Sequence, residues 1–152
     1  MSAHAGTHAD APSHVEAGEA TIGEIPLEVY VGRALVVDLA GRGEVGPDEL
    51  PPRSLRSRRV LFRTRGRAFL SPLAALRLVE KGLILIGTDA HSIDPPDAED
   101  LPAHRTLLSN GIALLENLAL DGIEEGEYRL VALPLRFDDL DASPVRAVLI
   151  RG

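Results

Sequence analysis

The sequence contains no cysteine and no tryptophan among its 152 residues, and its aromatic residues are limited to three Phe and two Tyr. Without cysteine, disulfide bonds, thiol catalysis and cysteine-ligated zinc sites are excluded. The hydrophobic core must therefore be aliphatic, built from Leu, Val, Ile and Ala. A hydrophobic content of 45% is sufficient for such a core and excludes a disordered chain.

Long apolar runs and excess positive charge are also missing. No run approaches the about 18 residues of a membrane-spanning helix, and the start of the chain lacks the basic and apolar regions of a secretory signal. With 16 basic and 23 acidic residues, the net charge of −7 argues against a nucleic-acid partner. We therefore expect one domain spanning residues 1–152, located in the cytoplasm, with neither a membrane nor a nucleic acid as partner.

The spacing of the apolar residues and the positions of Gly and Pro predict a mixed α/β domain with several strands and few helices. The clearest helix covers 71–81, with Ser71 as N-cap, Pro72 at the first position and Gly82 after the end. Leu73 and Leu76 would form its buried stripe together with residues 79–80. Predicted strands cover 34–39, 60–63, 83–86, 112–115, 127–137 and 145–151. A short helix is expected at 102–110, helical turns at 25–30 and 47–50, and an ordered loop over the first 24 residues.

Three of the five histidines lie within the first 14 residues. His4 and His8 are four residues apart and Asp10 follows two residues later, so these side chains can converge on one divalent ion. Gly6 and Pro12 disfavour a continuous helix and favour a bent loop. The alternative is an exposed histidine-rich terminus without a metal.

The segment 4–14 matches the pattern H-x-G-T-H-x-D-x-P-x-H at every fixed position. This pattern resembles the signature of the cyclase-like metal-dependent hydrolases and, within them, of the bacterial kynurenine formamidases (arylformamidases). Residues 87–94 resemble the family's G-x-D-x-x-S-x-D stretch, and His104 is followed twelve residues later by Glu116. Residues 128–135 and 140–147 are similar to the family's closing strands.

The resemblance implies a mixed-sheet, barrel-like swivelling β/β/α domain and a centre with two divalent ions, Zn²⁺ by preference or Mn²⁺. The implied ligands are His4 and His8 for one ion, His104 for the other, and Asp10 and Glu116 as bridges. His14 would be the general acid/base that works on metal-activated water. His91 and Ser92 are candidates to face the substrate, whereas Asp89 and Asp94 are assigned structural turn and cap roles.

The implied reaction is hydrolysis of a small amide, N-formyl-L-kynurenine, to L-kynurenine and formate in tryptophan degradation. Two alternatives stay open: another amidohydrolase of the family, similar to isatin hydrolase, and a catalytically silent metal-binding partner subunit. The family resemblance also implies a homodimer. Family members carry a segment before the signature, so the resemblance implies an N-terminally truncated domain with uncovered sheet edges and reduced stability.

Seven arginines between residues 53 and 67 form the basic cluster of the sequence. A nucleic-acid surface would need aromatic residues interleaved with the charges, and Phe62 alone lies among them. We therefore interpret the cluster as a solvated edge or a subunit contact, within which one arginine could bind a substrate carboxylate.

Overall fold

The computed structural model describes residues 2–39, 41 and 43–152. Across these residues the strands are β1 (His8–Asp10), β2 (Val31–Asp38), β3 (Gly43–Val45), β4 (Arg59–Arg63), β5 (Ala68–Leu70), β6 (Leu85–Thr88), β7 (Ala113–Glu116), β8 (Gly126–Val131), β9 (Ala142–Pro144) and β10 (Val148–Ile150). The α-helices are α1 (Pro72–Glu80) and α2 (Pro102–Leu108), and short 3₁₀ helices cover Pro12–His14, Ile22–Glu24, Leu27–Tyr30, Pro47–Glu49 and Ser54–Arg56. None of the helices in this described part of the chain has the length and apolar character needed to cross a membrane.

Eight of the described strands form one mixed sheet in the order β10-β8-β2-β4-β6-β7-β1-β9. The central strands β2, β4, β6 and β7 run parallel to one another. The strands at both ends of the sheet pair in an antiparallel manner. Strands β3 and β5 form a separate parallel pair. The predicted α/β class, a mixed sheet with few helices, is confirmed.

The central strands are apolar on both faces because the sheet separates two hydrophobic clusters. In β2, Leu35 and Val37 belong to the cluster that contains α1 and α2, whereas Ala34 and Val36 belong to the cluster on the opposite face. Successive strand residues point to opposite sides of a sheet, so a strand buried on both sides reads as a continuous apolar run. This burial explains why the run at 34–39 predicted its strand so well.

Helix α1 begins and ends where the sequence predicts. The Ser71 side chain accepts a hydrogen bond from the Ala74 backbone N–H, and Pro72 occupies the first helical turn. Gly82 follows the end of the helix with a φ of +82°, a left-handed conformation that glycine adopts without a Cβ penalty.

The predicted buried face of α1 is wrong. Leu73 and Leu76 are 66% and 41% exposed, whereas Ala74, Ala75 and Leu78 are buried. The helix packs beside α2 within the same cluster, and small alanines allow its backbone to come close to its neighbours. The large side chains did not predict the buried face, because the face of α1 that packs in this cluster carries small residues.

Several strand predictions need correction. Strands β1, β3 and β5 are three residues long and were missed, because a period of two cannot be recognised over so few positions, whereas β9 lies within the segment 140–147 that resembles a closing strand of the family. The predicted loop over residues 1–24 contains β1. The predicted strand 127–137 ends at Val131, before Pro134, and the predicted strand 145–151 is reduced to β10. The predicted strand 83–86 begins at Leu85.

Two arginines of the basic cluster hold local structure. Arg59 donates hydrogen bonds to the carbonyls of Val29 and Glu28. Arg63 forms an ion pair with Asp38 at the end of β2. These two guanidinium groups therefore stabilise the segment before β2 and the end of β2.

The buried face of α1 can be tested with two substitutions in the same helix. We expect Leu78→Ala to lower the free energy of unfolding by about 2–5 kcal/mol, because Leu78 is buried. Leu73→Ala is the matched control and should change it by no more than about 0.5 kcal/mol, because Leu73 lies in solvent. Urea unfolding measures both values, and a larger loss for Leu73→Ala would contradict the observed packing.

Candidate metal centre

Strand β1 brings two of the predicted ligands to the same side of the sheet. His8 and Asp10 are two residues apart and point to one side, whereas Ala9 between them is buried in the cluster on the other side. β1 pairs with β7 so that His8 lies opposite Glu116. The amino-terminal segment and the end of β7 therefore meet at one place.

His8 is oriented by the loop that precedes it. Its Nδ1–H donates a hydrogen bond of 2.8 Å to the Gly6 carbonyl, and Gly6 has a φ of +67°. The opposite ring nitrogen, Nε2, then lies 3.5 Å from Asp10 Oδ1 and 3.6 Å from Glu116 Oε2. A left-handed residue at this position is thus part of what directs the His8 ring toward the carboxylates.

His104 is oriented by a carboxylate that the sequence assigned only a structural role. Asp94 accepts hydrogen bonds from the backbone N–H groups of Ala103 and His104 at the start of α2, so its predicted cap role is confirmed. It also accepts a 2.6 Å hydrogen bond from His104 Nδ1–H. The Nε2 atom of His104 consequently lies 3.2 Å from Glu116 Oε1 and 3.8 Å from Asp10 Oδ2. No sequence signal indicated this second contact, since ten residues separate Asp94 from His104.

Asp89, by contrast, takes no part in the centre. Its carboxylate accepts hydrogen bonds from the Thr64 backbone and hydroxyl and from the Arg65 backbone N–H. The predicted turn role of Asp89 is confirmed.

Asp10 has an unusual environment for a charged side chain. It is 1% exposed, and within the described residues neither carboxylate oxygen has a hydrogen-bond partner. The His4 Nδ1 atom is 3.0 Å from Oδ1, but this contact lacks hydrogen-bond geometry. Burying a carboxylate without such partners costs several kcal/mol unless a cation compensates it. The two orphaned oxygens therefore fit a metal ion, and imidazole nitrogen with carboxylate oxygen suits Zn²⁺ or Mn²⁺.

The donor atoms fall into three groups, within each of which all of them lie within 4.8 Å of one another. The groups are His4 with His8 and Asp10, Asp10 with His104 and Glu116, and His4 with His14 and Asp141. The first two groups contain all five predicted ligands and share Asp10. The structure thus brings together every residue to which the sequence analysis assigned a metal.

The carboxylates control the protonation of the imidazoles when no metal is present. Asp10 raises the pKa of His4 to about 9. Burial would lower the pKa of His104, but Asp94 and Glu116 outweigh it and raise that pKa to about 10. Burial would raise the pKa of Glu116, but His104 and His8 outweigh it and lower that pKa to about 2. In the metal-free protein the site therefore holds extra protons at neutral pH, and a metal ion must displace them.

His14, the predicted acid/base, lies beside the ligand groups on the 3₁₀ helix Pro12–His14. Its ring centroid is 4.4 Å from that of His4 and 5.7 Å from that of His104. Its Nδ1 atom is 2.8 Å from Asp141 Oδ2, a contact that the sequence analysis missed. Asp141 belongs to a segment that resembles a closing strand of the family. No local pattern in the sequence indicated that its carboxylate would contact a histidine.

A cavity of about 240 Å³ opens onto these groups. Its lining consists of His4, His8, His14, His91, Ser92, Leu101, His104 and Glu116. Both candidate substrate-facing residues thus border the cavity. Ser92 Oγ also accepts a hydrogen bond from the Asp94 N–H, and His91 Nδ1 lies 3.4 Å from the Asn117 amide oxygen.

Two residues beside the cavity have a left-handed backbone without being glycine. Leu101 has a φ of +47° and Asn117 a φ of +54°. Such conformations cost about 1–3 kcal/mol each and persist only where neighbouring contacts enforce them. Asn117 is held by its N–H donating to Ala90 and by its carbonyl accepting from the Thr7 hydroxyl. A third left-handed residue, Arg65, lies outside the cavity lining, so two of the three such residues in the described chain are beside it.

Comparison with known proteins places this architecture in a family. A family model named Cyclase, with the description "Putative cyclase", matches residues 1–95. The chain belongs to this Cyclase family, and the predicted family resemblance is confirmed.

Relatives and solved structures make the likeness more specific. The chain is 42% identical to a kynurenine formamidase of Paracidovorax citrulli (strain AAC00-1), covering 98% of this chain and 76% of that protein. It is also 42% identical to a kynurenine formamidase of Bacillus cereus (strain ATCC 14579), covering 98% of this chain and 77% of that protein. A solved structure described as a "potential metal-dependent hydrolase with cyclase activity" matches with a TM-score of 0.90 and 34% identity, covering 98% of this chain and 79% of that one. Isatin hydrolase A from Labrenzia aggregata matches with a TM-score of 0.79 and 25% identity, and the match covers 99% of this chain and 74% of that one.

The protonation of the metal-free centre predicts how its stability depends on pH. Unfolded histidines titrate near pH 6.5, whereas His4 and His104 keep their protons in the folded state to about pH 9 and 10. The free energy of unfolding should therefore fall as the pH rises above 6.5. Glu116 stays ionised down to about pH 2 in the folded state, so stability should also fall as the pH drops below about 4.5.

Urea unfolding in the presence of a chelator, repeated across this pH range, measures the effect. His91→Ala alters an exposed histidine outside the carboxylate contacts and should preserve the wild-type profile. A stability that rises steadily from about pH 6.5 to pH 9 would contradict the charge arrangement described for the metal-free site.

Proposed function

We propose that this chain is a metal-dependent amide hydrolase that converts N-formyl-L-kynurenine and water to L-kynurenine and formate. The observation that carries the proposal is the buried carboxylate of Asp10, whose two orphaned oxygens are shared by two ligand groups. Further support comes from the 42% identity to proteins named kynurenine formamidase over nearly the whole chain.

In this proposal two divalent ions, Zn²⁺ or Mn²⁺, are held by five side chains. His4 and His8 would bind one ion and His104 the other, with Asp10 and Glu116 between them. The bridging role of Glu116 is supported by its contacts, since Oε2 faces His8 at 3.6 Å and Oε1 faces His104 at 3.2 Å. Two carboxylates offset part of the charge of two cations, and three imidazoles add none when neutral.

When bound, the cations supply Lewis-acid polarisation of the substrate carbonyl and lower the pKa of water at the site. The side chains provide binding and proton transfer. His14 Nδ1–H donates to Asp141, which leaves Nε2 of His14 free to accept a proton from the attacking water. The same nitrogen then returns this proton to the departing amine, so that His14 begins and ends the cycle in one protonation state.

The cavity walls suggest how the substrate is held. His91 and Ser92 would contact its polar groups, and Leu101 provides the one apolar side chain among the residues that line this cavity. A homodimer and a cytoplasmic location stay predictions from the sequence.

A second candidate function is hydrolysis of isatin or a similar cyclic amide. The observation that favours it is the structural likeness to isatin hydrolase A from Labrenzia aggregata. Both reactions add water to an amide carbonyl, so the same ligands and acid/base would serve either substrate.

Kinetics with Zn²⁺ or Mn²⁺ added separates the two substrates and tests His14. We expect the wild-type protein to hydrolyse N-formylkynurenine with a higher kcat/KM than isatin. His14→Ala should lower kcat about 10²–10⁴-fold without changing the metal content, because it removes proton transfer alone. The contrasting variant His91→Ala should act mainly on KM.

A higher kcat/KM for isatin would favour the second candidate. A metal-loaded wild-type protein with no hydrolysis above background would instead favour the silent partner subunit.

Metal content tests the ligand groups separately. After loading with Zn²⁺, elemental analysis of the wild-type protein should give about two ions per chain, with proton release at pH 7 because His4 and His104 must lose protons. His8→Ala should retain about one ion, which Asp10, His104 and Glu116 would hold. Asp10→Asn should retain fewer than one, because both groups lose their shared carboxylate.

The control for these variants is Asp48→Asn, which changes an exposed aspartate on the 3₁₀ helix Pro47–Glu49. This variant should bind the same number of Zn²⁺ ions per chain as the wild type. Circular dichroism confirms that each variant is folded before analysis, and an unchanged ion count in Asp10→Asn would contradict the proposed sharing.

A further inference from the structure

Asp141 lies outside the set of predicted site residues, yet it contacts two of them. Its Oδ2 atom is 2.8 Å from His14 Nδ1 and 3.2 Å from His4 Nε2. The residue precedes β9 directly, and its backbone carbonyl accepts a 2.8 Å hydrogen bond from Ala11 N–H. The carboxylate is therefore fixed relative to the amino-terminal segment on which both histidines lie.

The chemistry of this contact defines which ring nitrogens carry protons. An ionised carboxylate only accepts hydrogen bonds, so both imidazoles must donate to it. A neutral imidazole has one N–H, and a donating nitrogen leaves the other one with its lone pair exposed. In His14 the exposed nitrogen is Nε2, on a ring that lines the cavity. In His4 it is Nδ1, which lies 3.0 Å from Asp10 Oδ1 in the first ligand group.

We propose that Asp141 is a positioning residue that sets the tautomers of His4 and His14 through a single carboxylate oxygen. It turns the Nδ1 lone pair of His4 toward the ligand group and the Nε2 lone pair of His14 toward the cavity. The tasks of these two nitrogens rest on the proposed function, whereas the tautomers themselves do not.

The pattern matches how the other histidines of the centre are held. His8 donates from Nδ1 to the Gly6 carbonyl, and His104 donates from Nδ1 to Asp94. Outer partners of this kind fix ligand orientation, and their loss lowers metal affinity or activity about 10–100-fold. Asp141 differs in serving two rings at once, one in a ligand group and one in the acid/base position.

Long-range ¹H–¹⁵N spectra of the histidine rings report the tautomers directly. They are recorded on the metal-free protein and again with Zn²⁺ bound. In the wild type we expect the Nδ1–H form of neutral His14 and, with Zn²⁺ bound, His4 ligated through Nδ1 with its proton on Nε2. Asp141→Ala should abolish this preference in both rings, and Asp141→Asn, which keeps an acceptor oxygen, should retain it in part.

The matched control is Asp138→Asn, three residues upstream, whose side chain is 80% exposed and paired with Arg136. It should leave both ring spectra, the Zn²⁺ affinity and the activity unchanged. Asp141→Ala should weaken Zn²⁺ binding about 10–100-fold and lower kcat more than it raises KM, with Asp141→Asn between it and the wild type.

A purely structural role for Asp141 would lower the melting temperature of Asp141→Ala without altering either tautomer, and that result would overturn the proposal. Wild-type His14 protonated at Nε2 would also overturn it. A tautomer change together with absent amidase activity in the wild type would support the positioning role and contradict the proposed function, so the two failures are distinguishable.

Discussion

Asp10 carries a negative charge at 1% exposure, where no donor within the described residues makes a hydrogen bond to either carboxylate oxygen. Such a charge is stable only beside compensating cations. In the metal-free protein the compensation comes from protons, which the carboxylates keep on His4 and His104 to about pH 9 and 10. Divalent ions at the same place would exchange for these protons.

The fold brings the compensating groups together from distant parts of the chain. β1 lies between β7 and β9, so the strand that carries His8 and Asp10 is flanked by Glu116 on one side and by the segment after Asp141 on the other. Helix α2 begins beside the sheet and presents His104. Each predicted ligand histidine has one ring nitrogen beside a fixed acceptor, so the remaining nitrogens, whose protons a metal ion would displace, face Asp10 and Glu116.

The sequence alone was sufficient to predict the family, the α/β class and the proximity of His4, His8, Asp10, His14, His104 and Glu116, because these depend on a long exact pattern and on apolar runs buried on both faces. The face of α1 that carries Ala74 and Leu78 could not be predicted, since it depends on which neighbour the helix packs against. Asp94 and Asp141 were missed as partners of the histidines for a related reason. Their contacts join residues far apart in the chain, and a local pattern carries no information about such contacts.

The most direct test of this account is a crystal structure of the protein grown with Zn²⁺, with anomalous diffraction measured on both sides of the zinc absorption edge. The account predicts two anomalous peaks, one on each side of the Asp10 carboxylate, with Glu116 in contact with both. A map in which Asp10 touches no zinc ion, or in which its oxygens are bound only by protonated imidazoles, would contradict the central claim.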